Sequence, residues 1–354
     1  MSELLIPSLN IEHFRTFRRV QLERLGRINL IVGKNNVGKT TLLEALWIYA
    51  RRGVPSVLWE QLAVREERGA PSANGDIGYL LAALSNVFFG RSDPLRPVGQ
   101  FTVGIAVDSS TTLAVSIEEL AAKTPEILSE TPLSALYYRI RLGESTKWLT
   151  EIHPNLPDTT FLSNLLDLPH SYVAANGMQS TYIARLWDKI ALTDLEEDVL
   201  TALQLIAPEV ERVNMLSDPK ISSVRTAMVR MRGSNRPLSL RSYGDGMNRL
   251  FSIALALVNA KDGLLFVDEI ENGIHYSVLL EMWHLIIDMA TKLNVQIFAT
   301  THSGDCVNAF QAATRHHQDQ GMLIRLGRRK GEVVATLYDE EELEIAIDQQ
   351  VEVR

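Results

Sequence analysis

The sequence predicts an α/β fold in which helices cover both faces of a largely parallel sheet. Three short runs are apolar at nearly every position, which is typical of strands buried on both faces rather than strands with one solvated face. These runs are Ile28–Val32, Leu264–Val267 and Val295–Thr300. Each run is joined to a segment with helical periodicity, and such alternation favours an α/β architecture.

The helical segments flank the three strands in a regular order. Thr41–Tyr49 follows the first strand, Met247–Asn259 leads into the second, and Tyr276–Leu293 separates the second from the third. After His302 the pattern predicts one more helix, a hairpin over Met322–Leu337 and an acidic helix near Asp339–Ile347. The acidic helix is interpreted as a solvated face, with docking of a partner as the alternative.

The middle of the chain differs from both ends. Loops rich in Gly and Pro alternate there with segments of strand periodicity, such as Gln100–Val107 and Tyr137–Leu142, and with a helix over Leu192–Leu205 for which Asp194 is the expected N-cap. We therefore predict that residues 1–54 and 216–354 form one domain. Residues 55–215 are predicted to be an inserted lobe, either an α/β or a mostly helical subdomain.

Composition excludes several classes of protein. The single cysteine, Cys306, cannot form an internal disulfide, and no apolar stretch reaches the roughly 18 residues of a membrane span. We expect a cytoplasmic protein without a membrane segment.

With 35 Lys and Arg against 43 Asp and Glu, the net charge of −8 means that any contact with DNA must be local. The candidate is a basic stripe on the strand Val224–Arg232, where a salt-bridged sheet face is an equally good interpretation. Arg230 and Arg232 share one face of this strand, and Arg225, Arg236 and Arg241 would complete the stripe.

A phosphate-binding loop lies between the first strand and the first helix. The segment Gly33–Thr40 reads GKNNVGKT and fits the pattern G-x-x-x-x-G-K-[ST] in the strand–loop–helix context that this pattern requires. Backbone N–H groups and the start of the helix favour an anion there, Lys39 adds a full charge, and Thr40 is the expected ligand of Mg²⁺. The predicted nucleotide contacts are Asn35, Asn36, Val37, Gly38, Lys39, Thr40 and Thr41.

A second polar site follows the buried strand Leu264–Val267. Asp268 and Glu269 end this strand, and burying an acid at such a position is costly unless an ion or ligand compensates it. Asp268 is predicted to serve Mg²⁺, and Glu269 is predicted to activate a water against the γ-phosphate of ATP. A solvated strand end is the alternative for the pair, and Glu271 is a rival base.

Two more motifs border helices or strand ends. Ser242–Gly246 reads SYGDG and forms a second glycine-rich helix start that can bind an anion. The strand Val295–Thr300 ends in Thr301, His302 and Ser303, where a histidine can hydrogen-bond the γ-phosphate. A purely structural histidine is the alternative at this position.

The order of GKNNVGKT, SYGDG, LLFVDE and TTHS resembles the ABC-type ATPase heads of RecF, SMC and OLD proteins. It is most similar to the OLD-like AAA-type ATPases of bacterial defence that lack a fused TOPRIM nuclease. The resemblance covers residues 5–52 and 236–310. It implies a P-loop NTPase with a mixed sheet flanked by helices, His302 as a switch histidine, and Ser242, Gly244 and Asp245 as the signature. Arg241 and Tyr243 depart from the usual signature, and Gln100 is the candidate for the glutamine-bearing loop.

The resemblance also implies a function. We expect a slow ATPase that uses ATP and Mg²⁺, closes as a head-to-head homodimer through its ATP sites, and controls an effector in bacterial defence. About 50 residues follow His302, fewer than a nuclease domain needs, so the effector is expected to be a separate, TOPRIM-like nuclease. Two alternatives are a RecF-like mediator of DNA repair and recombination, and a module that dimerises on ATP without hydrolysing it.

Overall fold

The three predicted buried strands, the helices that flank them and the C-terminal hairpin lie where the sequence predicts them, and further strands and a helix accompany them. The computed structural model describes residues 3–67, 83–90, 98–106, 108–121, 134–151, 167–218, 221–234, 236–315, 317 and 320–348. The strands are β1 Leu9–Phe14, β2 Phe17–Leu22, β3 Ile28–Val32, β4 Gly99–Gly104, β5 Leu113–Ala121, β6 Ser134–Leu142, β7 Ser145–Glu151, β8 His170–Val173, β9 Val210–Asp218, β10 Ile221–Met231, β11 Leu238–Ser239, β12 Leu264–Val267, β13 Gln296–Thr300, β14 Gly321–Arg329 and β15 Glu332–Tyr338. The helices are α1 Lys39–Ala50, α2 Pro55–Val64, α3 Ser180–Ile190, α4 Leu195–Gln204, α5 Asp245–Asn259, α6 Leu279–Lys292, α7 Gly304–Thr314 and α8 Glu340–Asp348.

A mixed sheet holds the three strands that the apolar runs predict. Its order is β15-β14-β3-β13-β12-β8, and every pair is parallel except the β14–β15 hairpin. The carboxyl ends of β3, β13 and β12 therefore lie side by side at one edge. In open α/β sheets this edge is where ligands bind.

Both faces of the mixed sheet are buried, which explains the continuous apolar runs. Alternate residues of each strand enter different cores: Leu265 and Val267 pack with α3 to α7, whereas Leu264 and Phe266 pack with α1, α2 and a second sheet. Period-two alternation of side chains places successive residues on opposite faces. A strand that is covered on both faces must therefore be apolar throughout.

The second sheet is antiparallel, with the order β2-β1-β4-β5-β6-β7. A third, small sheet has the order β11-β10-β9. Strand pairing crosses the predicted limits of the inserted lobe: β4 pairs with β1, β8 pairs with β12 in the mixed sheet, and β9 runs from Val210 to Asp218 across the limit at 215/216. The division into domains stays a prediction, but residues 55–215 contribute strands to all three sheets.

Some local predictions need correction. Asp194 is the N-cap residue of α4, as predicted, but its side chain makes no capping hydrogen bond; Thr193 Oγ1 accepts from the N–H of Leu195 at 3.3 Å. The helix predicted from Tyr276 begins as a 3-10 turn over Tyr276–Val278, and α6 starts at Leu279. Within the part of the chain that the structure describes, no helix is long and apolar enough to cross a bilayer.

The acidic helix near the C-terminus is attached to the rest of the fold. Asp339 Oδ1 accepts from the N–H of Glu342 while Glu342 Oε2 accepts from the N–H of Asp339, a reciprocal capping box at the start of α8. Asp339 also pairs with Arg24 at 2.8 Å, and Arg315 pairs with Glu344. Part of the acidic charge is thus compensated within the chain.

Candidate functional site

The phosphate loop joins β3 to α1 through three residues with positive φ: Gly33 at 142°, Asn36 at 60° and Gly38 at 113°. A Cβ on Gly33 would lie 2.3 Å from the carbonyl oxygen of Leu326, and a Cβ on Gly38 would lie 2.7 Å from the ring of Phe17. Both positions therefore need glycine for conformation and for space. The loop is shaped by β14 and β2 as well as by its own sequence.

Lys39 lies across this loop. Its ammonium Nζ donates to the carbonyl oxygens of Gly33 at 2.7 Å and Lys34 at 3.2 Å. Burial lowers the pKa of Lys39, while the nearby carboxylates of Asp268, Glu269 and Glu271 act in the opposite direction. The predicted phosphate cation is therefore held at the centre of the loop.

The other predicted contacts differ in exposure. Asn35 and Asn36 are exposed, whereas Val37 is buried. Thr41 is also buried, and its hydroxyl accepts from Arg65 Nη2 at 3.4 Å on the side of α1 that packs on α2. The side chain of Thr41 is thus engaged elsewhere, and its predicted role in binding nucleotide rests on its N–H group in the first turn of α1.

An oxygen cluster joins α1 to the carboxyl ends of β12 and β13. Thr40 Oγ1 lies 3.2 and 3.1 Å from the two carboxylate oxygens of Asp268, and Thr300 Oγ1 donates to Asp268 Oδ1 at 2.6 Å. Thr40 and Asp268 thus come together although 228 positions separate them in the sequence. A hydroxyl and a carboxylate are hard oxygen donors that suit Mg²⁺, which keeps several waters and binds through few protein ligands and substrate phosphates. The donor set therefore fits a magnesium ion.

Glu269 has a left-handed backbone, with φ of 52°, at the turn that follows β12. Its carboxylate accepts from Asn272 Nδ2 at 2.7 Å, and its Oε1 lies 3.1 Å from His302 Nε2. The structure thus brings together Glu269 and His302, which are predicted as base and switch. Non-glycine residues with positive φ are strained and cluster at functional sites.

Glu271, the rival base, has a structural contact. Its Oε1 accepts from the N–H groups of His302 and Ser303, at 2.9 and 3.1 Å. It therefore orients the turn that carries His302. Its Oε2 is buried and has no hydrogen-bond partner among the described residues.

Two site residues were missed by the sequence analysis. Thr300 was assigned only as a strand residue, yet its hydroxyl also accepts from the N–H of Glu269 at 2.8 Å and so joins Asp268 to Glu269. Arg249 on α5 donates to the carbonyl oxygens of Ala174, Asp268 and Glu269. The available signal was that Arg249 is the single charged residue within the predicted helix Met247–Asn259.

Arg249 is nearly completely buried, and burial lowers its pKa to about 10. The nearby carboxylates of Asp268, Glu271 and Glu269 act in the opposite direction and raise this pKa. Arg249 remains a cation at neutral pH. Removing it would leave three carbonyl oxygens without this donor, so Arg249 holds the turn that carries Glu269.

The signature residues lie on the surface. Ser242, Gly244 and Asp245 are exposed, with Ser242 in a 3-10 turn, Gly244 at φ 92° and Asp245 at the start of α5. A Cβ on Gly246 would lie 2.6 Å from the carbonyl oxygen of Gly273, so α5 begins against the turn after Glu271. Among the described residues, no hydrogen bond or ion pair joins this segment to residues 33–40 of the same chain.

The predicted basic stripe is partly neutralised. Arg225 pairs with Asp188 at 2.6 Å and Arg230 pairs with Glu211 at 3.2 Å, whereas Arg232, Arg236 and Arg241 are exposed. Gln100 is exposed on β4, opposite Ser116 of β5. Neither feature is part of the cluster around Asp268.

Comparisons with known proteins match two parts of the sequence and the overall fold. Residues 5–67 match the family model "AAA ATPase domain", and residues 158–305 match the model described as "AAA domain, putative AbiEii toxin, Type IV TA system". An "ATP/GTP phosphatase" of Helicobacter pylori is 20% identical over 96% of this chain and 97% of its own length. A RecF DNA replication and repair protein of Idiomarina loihiensis is 47% identical over 45 residues, 13% of each chain.

Solved structures give the same fold at low identity. An SMC head bound to the C-winged helix domain of ScpA has a TM-score of 0.53 and 13% identity, and covers 97% of this chain and 99% of its own. An SMC head with an extended coiled coil, bound to the C-terminal domain of ScpA derived from Pyrococcus furiosus, has a TM-score of 0.51 and 11% identity, with coverage of 98% and 99%.

The mixed sheet with its phosphate loop defines a P-loop NTPase. Two separate parts of the chain are similar to AAA ATPase domains, and its fold is similar to that of SMC heads. The predicted fold class is confirmed, and so is the resemblance to SMC and RecF heads.

Proposed function

We propose that this head binds ATP with Mg²⁺ and hydrolyses it slowly. The observation that carries the proposal is that the Thr40 hydroxyl lies within 3.2 Å of both carboxylate oxygens of Asp268, 228 positions away, while the carboxylates of Asp268 and Glu269 both lie near Lys39 of the phosphate loop. Lys39 and the loop N–H groups would hold the phosphates, while Thr40 and Asp268 would hold the metal, which neutralises phosphate charge. Glu269 would accept the proton of the attacking water, and His302 would sense the γ-phosphate.

The test of this site uses two variants of the full chain. Lys39→Ala should weaken ATP binding at least about tenfold, because it removes a charged donor to phosphate. Lys330→Ala, which removes an exposed lysine from the β14–β15 turn, is the matched control. Equal ATP affinity of Lys39→Ala and the wild type, measured by calorimetry, would show that the site is wrongly assigned.

The exposed signature supports a composite site. Ser242, Gly244 and Asp245 face solvent, so we infer that they complete the ATP site of a second copy in a head-to-head homodimer with two ATP sites. A glycine-rich helix start suits a phosphate. In this arrangement each chain supplies a phosphate loop to one site and a signature to the other.

Dimer closure can be tested by trapping and by blocking. Glu269→Gln should keep ATP bound and lower turnover at least about 100-fold, which is the usual effect of removing a general base. The closed dimer should therefore accumulate, because its ATP is not hydrolysed. Ser242→Arg should prevent closure while each monomer still binds ATP. Light scattering in ATP and Mg²⁺ should then give different masses for the two variants. The same mass for both, with a constitutive dimer excluded in the nucleotide-free protein, would contradict the composite site.

The proposed biological role is a switch for a separate effector in bacterial defence. The family description that names a toxin of a toxin–antitoxin system supports this direction, as does the resemblance to OLD-like ATPases. Among the described residues, no three His, Cys, Asp or Glu side chains form a metal-binding group such as a TOPRIM-like nuclease needs. The short match to RecF instead favours a DNA repair mediator, the second candidate.

A cleavage assay separates the effector arrangements. Plasmid incubated with the protein, ATP, and Mg²⁺ or Mn²⁺ should stay intact, and cutting should require a co-purifying protein. Cutting that persists through repurification and is unaffected by Glu269→Gln would contradict a separate nuclease. Retention of DNA that depends on ATP, without any cutting, would support the repair mediator.

A further inference from the structure

A cleft of about 590 Å³ lies beside the signature residues. It lies at the end of β8, which is the neighbour of β12 in the mixed sheet, whereas the oxygen cluster lies at the ends of β12 and β13. Its floor is formed by α5, and its walls come from the loop that follows β8, the start of α3, and strands β9 and β10. It opens at the carboxyl ends of β8 and β12, the edge of an α/β sheet where ligands bind. Its volume lies within the usual range of small-molecule sites.

The lining of the cleft favours an anion with an apolar body. The charged groups are three arginines, Arg225, Arg241 and Arg249, against one carboxylate, Asp245. Arg225 is compensated by Asp188, and Arg249 lies near the carboxylates of Asp268, Glu271 and Glu269, so Arg241 is the lining arginine that remains available to an anion. The apolar part of the lining consists of Met178, Ile183, Met215 and Phe251.

Individual polar groups in the lining are available to a ligand. Arg241 is exposed, and no ion pair joins it to another described residue. Ser252 is buried on α5 and is among the residues that line the cleft. Arg249 is buried as well, and its Nε has no hydrogen-bond partner among the described residues.

Two lining residues hold the proposed base. Arg249 Nη2 donates to the carbonyl oxygens of Asp268 and Glu269, and Asn272 Nδ2 donates to the carboxylate of Glu269 at 2.7 Å and to the carbonyl oxygen of Ala175 at 3.2 Å. A molecule in the cleft would therefore touch the side chains that set both the backbone and the carboxylate of Glu269. One molecule in the cleft would contact both Arg249 and Asn272.

We propose that this cleft is an effector site for a small organic anion with an aromatic or aliphatic body, and that its occupancy changes the ATP site through Arg249 and Asn272. The binding part stands on the cleft alone, whereas the coupling rests on the proposed ATPase function. An anion that draws the Arg249 guanidinium towards itself weakens its contacts with the carbonyl oxygens of Asp268 and Glu269. Bound anion should therefore lower turnover.

Binding is tested with the fluorescent probe anilinonaphthalene sulfonate, an aromatic anion, on the folded full chain. Met178→Glu places a carboxylate in the lining and should weaken probe affinity about tenfold, which corresponds to about 1.4 kcal/mol. Met178→Gln has the same shape as Met178→Glu without the charge and should bind the probe more tightly than Met178→Glu does. Lys39→Ala should also retain the probe, because the cleft is distinct from the phosphate loop. Equal affinity of the Glu and Gln variants would overturn the site.

Coupling is tested by linkage between the probe and ATP. In the wild type, saturating probe should lower the rate of phosphate release about fivefold. It should also change the affinity for ATP with Mg²⁺. Because the coupling is reciprocal, ATP should change the affinity for the probe by the same factor. At a probe concentration near the Kd of the wild type, Met178→Glu should show much smaller effects than the wild type, because little of it is occupied. Probe bound in the cleft with no change in ATP affinity or turnover would overturn the coupling. If the wild type bound no ATP, the proposed function and the coupling would fail together, while the Met178 pair would still decide whether the cleft binds anions.

Discussion

Thr300 links the residues that the proposed chemistry needs. Its single hydroxyl donates to Asp268 Oδ1 and accepts from the N–H of Glu269, so one side chain orients the metal-binding acid and the turn that carries the base. It is completely buried. A buried hydroxyl that satisfies two neighbours costs more to remove than a solvated one, because the neighbours are left without partners.

Thr300→Val should therefore lower the free energy of unfolding by about 1–3 kcal/mol and reduce ATP turnover. Valine keeps the shape of threonine but lacks the hydroxyl. The control is Thr291→Val on α6, where the exposed hydroxyl donates only to the carbonyl oxygen of Ile287. Urea unfolding of both variants measures the difference, and an equal loss in the two would contradict the special role of Thr300.

At the scale of elements, helix α5 connects the signature to the proposed base. It begins at Asp245, packs against the turn at Gly273, and carries Arg249, whose guanidinium holds the carbonyl oxygens of Asp268 and Glu269. Movement of the helix start would thus be transmitted to Glu269 within two turns of α5.

Arg249→Lys should lower kcat about tenfold and leave the affinity for ATP nearly unchanged. A lysine keeps the charge, but its single ammonium group cannot reproduce the planar fork that spans several carbonyl oxygens. Phosphate release and nucleotide titration give the two quantities, and Arg232→Lys on the exposed surface is the control. A loss of ATP affinity equal to the loss of kcat would show that Arg249 supports the whole site rather than the position of Glu269.

Helix α8 should respond to acid through its capping residue. The pKa of Asp339 is lowered from 3.8, first by the hydrogen bond from the backbone N–H of Glu342 and then by Arg24. Because the pKa is lowered, the ionised carboxylate stabilises the folded helix at pH values above 3.8. This contribution is lost as the pH falls through the pKa of the folded state. Asp339→Asn should exchange the amide hydrogens of α8 faster than the wild type at neutral pH, with the difference shrinking in acid. A difference that stays constant with pH would contradict this assignment.

At the scale of the whole molecule, the single cysteine reports on folding. Cys306 on α7 is completely buried, and burial raises its pKa to about 12. The thiol is therefore both protonated and inaccessible in the folded chain at mildly alkaline pH, although the thiolate is the reactive form.

Cys306 should react with a thiol reagent such as dithionitrobenzoate only when the chain unfolds. The expected result is negligible labelling of the folded protein and complete labelling in urea, with the labelling midpoint equal to the unfolding midpoint measured by circular dichroism. Labelling well below that midpoint would show instead that α7 opens locally, before the rest of the fold.

The sequence alone determined the parts of this protein that depend on local pattern. Continuous apolarity predicted β3, β12 and β13, because strands covered on both faces must be apolar throughout. The phosphate loop is readable because its glycines are required by the conformation of a short segment. The acids after β12 stood out because a strand end is an unusual place for two carboxylates.

Only the tertiary structure decided which distant groups meet. Arg249 reaches Ala174, 75 positions earlier in the chain, and Thr300 reaches Asp268 across 32 positions, so neither contact leaves a local pattern. The role of residues 55–215 was likewise undetermined, since pairing of β4 with β1 and of β8 with β12 depends on which sheet edges are open after folding. Hydrogen bonds and strand pairs of this kind are set by the packing of whole elements, which short-range periodicity does not encode.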